Sequence, residues 1–226
     1  MIVGNGLIAN LFKDSDKNDV VFFASGVSNS SETDLAQFKR EEDLVLDTLD
    51  NHPEKLFIYF STCSIYDSSK TNSPYVLHKL RMEEIIKNNT GKHMILRVSN
   101  AVGKGGNPNL LINYLVRSVK TGEKINVHTK ATRNFIDSED VKEITLDLIE
   151  ENNFNRIVNI AYPQNYSVIE ILEILENYFK QKLNLNLIKE GSHYAISIPE
   201  TENYFRKNNL ENKEVYLCKI LEKYYT

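Results

Sequence analysis

Leu56-Phe57-Ile58-Tyr59-Phe60-Ser61-Thr62-Cys63-Ser64-Ile65-Tyr66, continuing to Asn72-Ser73-Pro74-Tyr75-Val76-Leu77-His78-Lys79, decides how this chain is read. The run from Leu56 to Phe60 is apolar and aromatic without polar alternation, as in a strand buried on both faces. It ends in two hydroxyl residues, Ser61 and Thr62. After a loop, Ser73-Pro74 opens a helix: Ser accepts from the free amides of a first turn, and Pro suits the first helical position. Tyr75 and Lys79 are four apart and share one helix face. An ammonium beside a phenol favours the phenolate, so the pair can exchange a proton with a substrate oxygen that Thr62 holds. The spacing alone carries little. Tyr178 and Lys182 repeat it without a preceding strand and hydroxyl, and read as a surface helix feature.

Outward from this stretch, short β-rich runs alternate with helical patterns. Residues 2–3, 19–24, 93–98 and 156–161 read as strands. Residues 7–12, 35–49, 74–87, 110–120, 141–150, 167–182 and 215–225 read as helices, with a short strand after Leu183. Strands alternating with helices imply an α/β fold, a Rossmann-like parallel sheet covered on both faces. The loop at 103–109 leaves this sheet for a small C-terminal substrate lobe. The expected division is a core of residues 1–104 and 134–162, and a lobe of 105–133 and 163–226.

Gly4-Asn5-Gly6-Leu7-Ile8-Ala9 follows the first strand and opens the first helix, the setting a dinucleotide fingerprint requires. Glycines there let backbone approach a pyrophosphate; a plain tight turn is the other reading. An acidic residue is expected roughly 20 residues further on, to hold the adenine ribose. Ala24-Ser25-Gly26 stands there instead, so the fingerprint is incomplete.

At 226 residues, 41% hydrophobic and 26% charged, the chain has the composition of an ordinary globular protein. A net charge of −4 without a basic cluster argues against nucleic acid, and no apolar run is long enough to span a bilayer. The start has no basic segment, so it does not read as a signal peptide. Two cysteines, Cys63 and Cys218, make neither a disulfide framework nor a metal cluster, and a reduced cytoplasm is expected. Abundant Asn, Lys and Ile with no Trp fit an AT-rich bacterial genome.

Taken in order, these motifs resemble the extended short-chain dehydrogenase/reductases, specifically the NAD-dependent nucleotide-sugar epimerase/dehydratase group, over nearly the whole length. Ser61-Thr62-Cys63-Ser64-Ile65-Tyr66 resembles its Ser-Ser/Thr-x-x-Val-Tyr strand end, and Ser73-Pro74-Tyr75 through Lys79 its Ser-Pro-Tyr-x-x-x-Lys helix. The resemblance implies Thr62, Tyr75 and Lys79 as catalytic residues, with Lys79 also holding the nicotinamide ribose. It implies an NAD or NADP site at Gly4, Asn5, Gly6, Leu7, Ile8, Ala24, Ser25 and Gly26. Leu96-Arg97-Val98-Ser99-Asn100-Ala101-Val102-Gly103 is similar to Leu-Arg-x-x-Asn-x-x-Gly, and Thr132-Arg133-Asn134-Phe135 to Thr-Arg-Asp-Phe. By this resemblance Asn100, Asn109 and Arg133 contact a nucleotide-linked sugar, Arg133 as a guanidinium on the diphosphate. The implied activity is keto-reduction or epimerisation of such a sugar in bacterial surface-polysaccharide biosynthesis.

Two departures qualify this. Between the glycine turn and Asp19 about 40 residues, the family's second and third strands, are missing. The first strand then becomes a sheet edge, where a homodimer contact or an overlying segment is expected, and the adenosine half of the site is largely absent. In a rival alignment residues 19–24 are the second strand, with Ser25 at the ribose tip. Secondly, Cys63 and Ser64 replace the Asp-Glu of the dehydratase branch, which disfavours a 4,6-dehydratase.

Other features read more plainly. Asp137 or Ser138 caps a helix. Gly103-Lys104-Gly105-Gly106 is no P-loop, because Gly follows the Lys. Cys63 has no base partner, His78 sits on a helix face, and the five histidines form no metal pattern. Arg133 can also be read as a surface ion-pair partner. A different class also stays open: a degenerate, non-catalytic binding or partner module. A third reading is a truncated enzyme that uses another nucleotide or takes its adenosine contacts from a neighbouring subunit.

Overall fold

The structure, a computed structural model, describes residues 1–105 and 110–226. Its centre is a five-stranded sheet in the order β1-β2-β3-β4-β9, with every neighbouring pair parallel. These strands are β1 (Ile2–Val3), β2 (Val20–Phe23), β3 (Leu56–Thr62), β4 (His93–Val98) and β9 (Arg156–Ile160). Every residue of β2 and β3 is buried, which is why neither alternates in sequence.

The two faces carry different helices. Phe22, Ile58, Leu96 and Val158 point into one cluster, packed by α1 (Leu7–Leu11) and α5 (Ser138–Glu150). Val21, Phe23, Phe57, Tyr59 and Ile95 point into the other, covered by α2 (Leu35–Asn51) and α3 (Pro74–Asn89). The first cluster runs on without a break into α4 (Leu111–Thr121), α6 (Val168–Phe179) and α8 (Lys213–Tyr225).

The expected sheet edge is present: among the described residues β1 pairs only with β2, Ile2 opposite Phe22 and Val3 opposite Phe23. The connections carry a trace of the missing strands. From β2 to β3 and from β3 to β4 the chain steps one way, with its helices on the α2/α3 face. From β1 to β2 it steps the same way, but α1 lies on the opposite face, so this unit has the opposite hand. Parallel crossovers are right-handed in about 98% of cases, which leaves the first one left-handed. In a full dinucleotide-binding sheet the chain leaves the first strand outward, to a second strand beyond it. Here α1 keeps a face and the chain turns inward. Phe12, fully buried after this short helix, stacks on Phe22 at 4.4 Å and fixes the turn.

Most of the smaller elements escape the sequence pattern. Strands β5 (Asn100–Val102) and β8 (Phe135–Asp137) pair with each other, as do β7 (Thr132–Arg133) and β10 (Tyr166–Ser167); β6 (Ile125–His128) pairs with β11 (Leu185–Ile188), which is the short strand expected after Leu183. A short helix α7 (Glu202–Lys207) also goes unread, since runs of two to six residues show no periodicity. The Asp137 carboxylate caps α5 by accepting from the Glu139 amide at 2.9 Å, which is why that helix starts three residues before Val141. The last helix docks on this cap: the Tyr216 hydroxyl donates to Asp140 at 2.5 Å, the Tyr224 hydroxyl to Asp137 at 2.6 Å, and Lys223 lies 2.8 Å from Asp137.

Candidate active site

The carboxyl ends of the parallel strands open into a cleft of about 790 Å³, where open α/β sheets bind ligands. Asn5, Gly6, Leu7 and Ile8 line it from the turn after β1, and Ala24, Ser25 and Gly26 from the loop after β2. Thr62 at the end of β3, Tyr75 and Lys79 on α3, and Asn100 after β4 line it too, while the expected Gly4 and Arg133 do not; Tyr194 adds an aromatic wall. Gly4 is exposed but is not among the lining residues. Its φ is +127°, and a Cβ there would lie 2.4 Å from the Ala24 carbonyl oxygen. At Gly6 nothing lies within 4 Å of a Cβ position, so the backbone is open to close approach.

Thr62 Oγ1 accepts the Ser64 amide at 3.0 Å, as cap of the turn Cys63–Tyr66. Its own proton is thereby left to donate into the cleft. Tyr75 is buried, its ring centroid 6.0 Å from Lys79 Nζ. The Lys79 ammonium donates to Glu41 Oε1 at 2.9 Å and to the Tyr59 hydroxyl at 3.1 Å.

Glu41, from α2, organises this end of the cleft and was not foreseen. It is fully buried and its oxygens are saturated. Besides Lys79, Oε1 accepts from Tyr59 at 2.6 Å; Oε2 accepts from the Val27 amide at 2.6 Å and lies 3.0 Å from His78 Nε2. Burial pushes this carboxyl up, but the Lys79 charge and the His78, Tyr59 and Val27 contacts overcome it and hold Glu41 well below the usual carboxylate range. Burial, then the Glu41 charge, push the Tyr59 phenol well up, so it stays a neutral donor. His78 is a buried member of this network, stacked on Phe38 at 4.6 Å, rather than a plain helix-face residue. The available signal was the stripe Phe38, Glu41, Val45, Leu49: one acid on the buried face of α2.

At the far end, Asn100 Nδ2 donates to the Asn134 carbonyl at 2.7 Å. Arg133 is half-buried, donates to its neighbour's carbonyl at 2.7 Å, and is not among the lining residues. It lies close enough to Tyr194 that its charge opposes the upward push of burial on that phenol. Asn109 falls outside the described residues. Cys63 is buried and donates to the Arg97 carbonyl at 2.9 Å; burial pushes its thiol far up, which removes it as a nucleophile.

The glycine turn, Thr62, Tyr75, Lys79, Asn100 and Arg133 all fall inside residues 3–161, which match the sequence profile of the NAD dependent epimerase/dehydratase family. The chain belongs to this family. Solved structures agree in fold. UDP-glucuronic acid 4-epimerase from Bacillus cereus, in complex with UDP-glucuronic acid and NAD, is 18% identical over 96% of this chain and 79% of its own, with a TM-score of 0.70. UDP-N-acetylglucosamine 4-epimerase from Methanobrevibacter ruminantium, in complex with UDP-N-acetylmuramic acid, is 18% identical over 97% of this chain and 83% of its own, at 0.70. RMD from Pseudomonas aeruginosa, complexed with NADPH, is 17% identical over 97% and 85%, also at 0.70. Within the epimerase/dehydratase family this chain is short, and the sheet places the shortfall at the strands beyond β1.

Proposed function

We propose that this family member is an NAD(P)-dependent enzyme that reduces or epimerises a nucleotide-linked sugar at a ring carbon. The observation that carries the reading is that Thr62, Tyr75 and Lys79 line the same cleft as the glycine turn. The residues fit the nicotinamide half of a dinucleotide: open backbone at Gly6, small residues at Ala24, Ser25 and Gly26, and Lys79 at the cleft wall. Bound there, the nicotinamide supplies hydride exchange with the sugar. The chain's own part is to hold the reacting sugar oxygen with the Thr62 hydroxyl and to move a proton at the Tyr75 hydroxyl. Lys79 provides positive charge beside Tyr75, at 6.0 Å from its ring. Asn100 and Arg133 serve the sugar-nucleotide end. Buried Cys63 offers neither acid nor base, which speaks against elimination of water.

The test is calorimetric titration of the folded, ligand-stripped protein with NAD⁺, NADH, NADP⁺ and NADPH, followed by a nucleotide-sugar screen. Micromolar binding of any of the four supports the enzyme. A second reading, a non-catalytic module, draws on the neutralisation of Lys79 by Glu41; it predicts no binding of any of them.

A further inference from the structure

In a dinucleotide-binding sheet the strand order reverses at the first strand, and the second strand carries the acid that holds the adenine ribose. Here the order β1-β2-β3-β4-β9 runs one way without reversal. Among the described residues no strand lies outside β1, and the lining of the cleft comes from the β2 side of it. The nicotinamide half has walls; the adenosine half has none.

Charge is distributed to match. Among the described lining residues the cations are Lys79 and Arg40. Lys79 is committed to Glu41. Arg40, on α2, is exposed, and no described carboxylate pairs with it. It donates to the Ser25 carbonyl at 2.9 Å and to Ser25 Oγ at 3.4 Å. The glycine turn abuts the same residue from the other side: a Cβ on Gly4 would stand 3.0 Å from the Ser25 amide nitrogen. A guanidinium and an open backbone turn therefore meet at Ser25, after the strand next to the sheet edge. A guanidinium there suits a phosphate.

We propose that the cleft is a half-site: it holds a nicotinamide coenzyme by its mononucleotide portion, with the phosphate between the glycine turn and Arg40, and leaves the adenosine unheld. The inference rests on the reading of the cleft as a nicotinamide site. The intact protein is titrated by calorimetry with NADH, reduced nicotinamide mononucleotide and ADP-ribose, at one ionic strength. NADH and the mononucleotide are expected to agree in Kd within about tenfold, and ADP-ribose to bind more than about tenfold more weakly than NADH. Arg40→Ala, at an exposed position, is expected to keep the melting temperature and to weaken NADH and mononucleotide binding alike by about tenfold. A mononucleotide more than about tenfold weaker than NADH, or ADP-ribose as tight as NADH, overturns the half-site, because the adenosine is then held. Unchanged affinities in Arg40→Ala overturn the phosphate assignment. If none of the three binds to folded protein, the nicotinamide reading itself fails, a result separate from failure of the half-site.

Discussion

The Lys79 ammonium lies 2.9 Å from Glu41 Oε1, and the two side chains are 3% and 0% exposed. The pair ties α3 to α2. Through the Val27 amide on Glu41 Oε2 it also ties both helices to the loop that follows β2. Lys79, the loop after β2 and the packing of the two helices are thus one buried polar unit. In such a unit the loss of a single member is costly, because the others are left desolvated without partners.

Glu41→Ala is therefore expected to destabilise the fold by about 3–5 kcal/mol, the usual cost of stranding a buried charge. Lys79, Tyr59, His78 and the Val27 amide all lose an acceptor at once. Urea unfolding followed by circular dichroism measures this directly. A change below about 1 kcal/mol, the value of an exposed pair, would show that water reaches Lys79.

Acid should act through the same carboxylate. Glu41 is held below its ordinary range in the folded state, so the unfolded chain takes up its proton first as pH falls. Its contribution is fully present above about pH 4.3, the value of an unperturbed Glu, and is lost progressively below it. Wild type is expected to lose stability in that window more steeply than Glu41→Gln, which has no proton to take up. Urea midpoints of the two proteins from about pH 6 down to about pH 3 test the sign; parallel curves would contradict it.

Tyr75→Phe is expected to abolish turnover, by at least about a hundredfold, with the melting temperature held. The ring that fills the cluster with Val27, Phe38 and Val76 is kept, and only the hydroxyl is removed. Full activity of this variant with a sugar found by the nucleotide screen would take Tyr75 out of the mechanism.

The C-terminal helix offers a test away from the cleft. The Tyr216 hydroxyl accepts the Asp137 amide at 2.8 Å and donates to Asp140. Tyr216→Phe keeps the ring stacked on Tyr162 at 4.2 Å but leaves a buried amide without an acceptor. A loss of about 1–3 kcal/mol is expected, read as a shifted urea midpoint at unchanged slope.

What could be read in the sequence was what is encoded locally. The end of β3, the Ser73 cap and the Tyr75 and Lys79 face are patterns within one or two turns of chain. The edge position of β1 follows from a shortage of residues between Gly6 and Val20, too few for two further strands. Glu41 is different. Its partner Lys79 lies 38 residues away, and no spacing rule joins positions on two helices that meet only through tertiary packing. The acid inside the Phe38, Val45, Leu49 stripe was visible, but nothing one-dimensional says what a buried acid meets. The hand of the first crossover was equally hidden, since it depends on which face α1 covers.

Two glycines of the cleft should differ in what the same added methyl group does to stability. A Cβ on Gly26 would stand 2.5 Å from Lys79 Nζ and 2.7 Å from Glu41 Oε1. Both atoms end flexible side chains, but each is buried and held by the other, so neither can swing aside without breaking the pair. Gly26→Ala is expected to cost about 1–3 kcal/mol, as overpacking does, and to disturb dinucleotide binding with it. At Gly6 a Cβ meets nothing within 4 Å. Gly6→Ala is expected to keep stability within about 0.5 kcal/mol, yet to weaken dinucleotide binding, because the methyl group fills the space a phosphate needs against the backbone. Unfolding curves and calorimetry on both variants separate the two roles. Normal affinity in a stable Gly6→Ala protein would mean that the turn, for all its fingerprint spacing, is only a bend between β1 and α1.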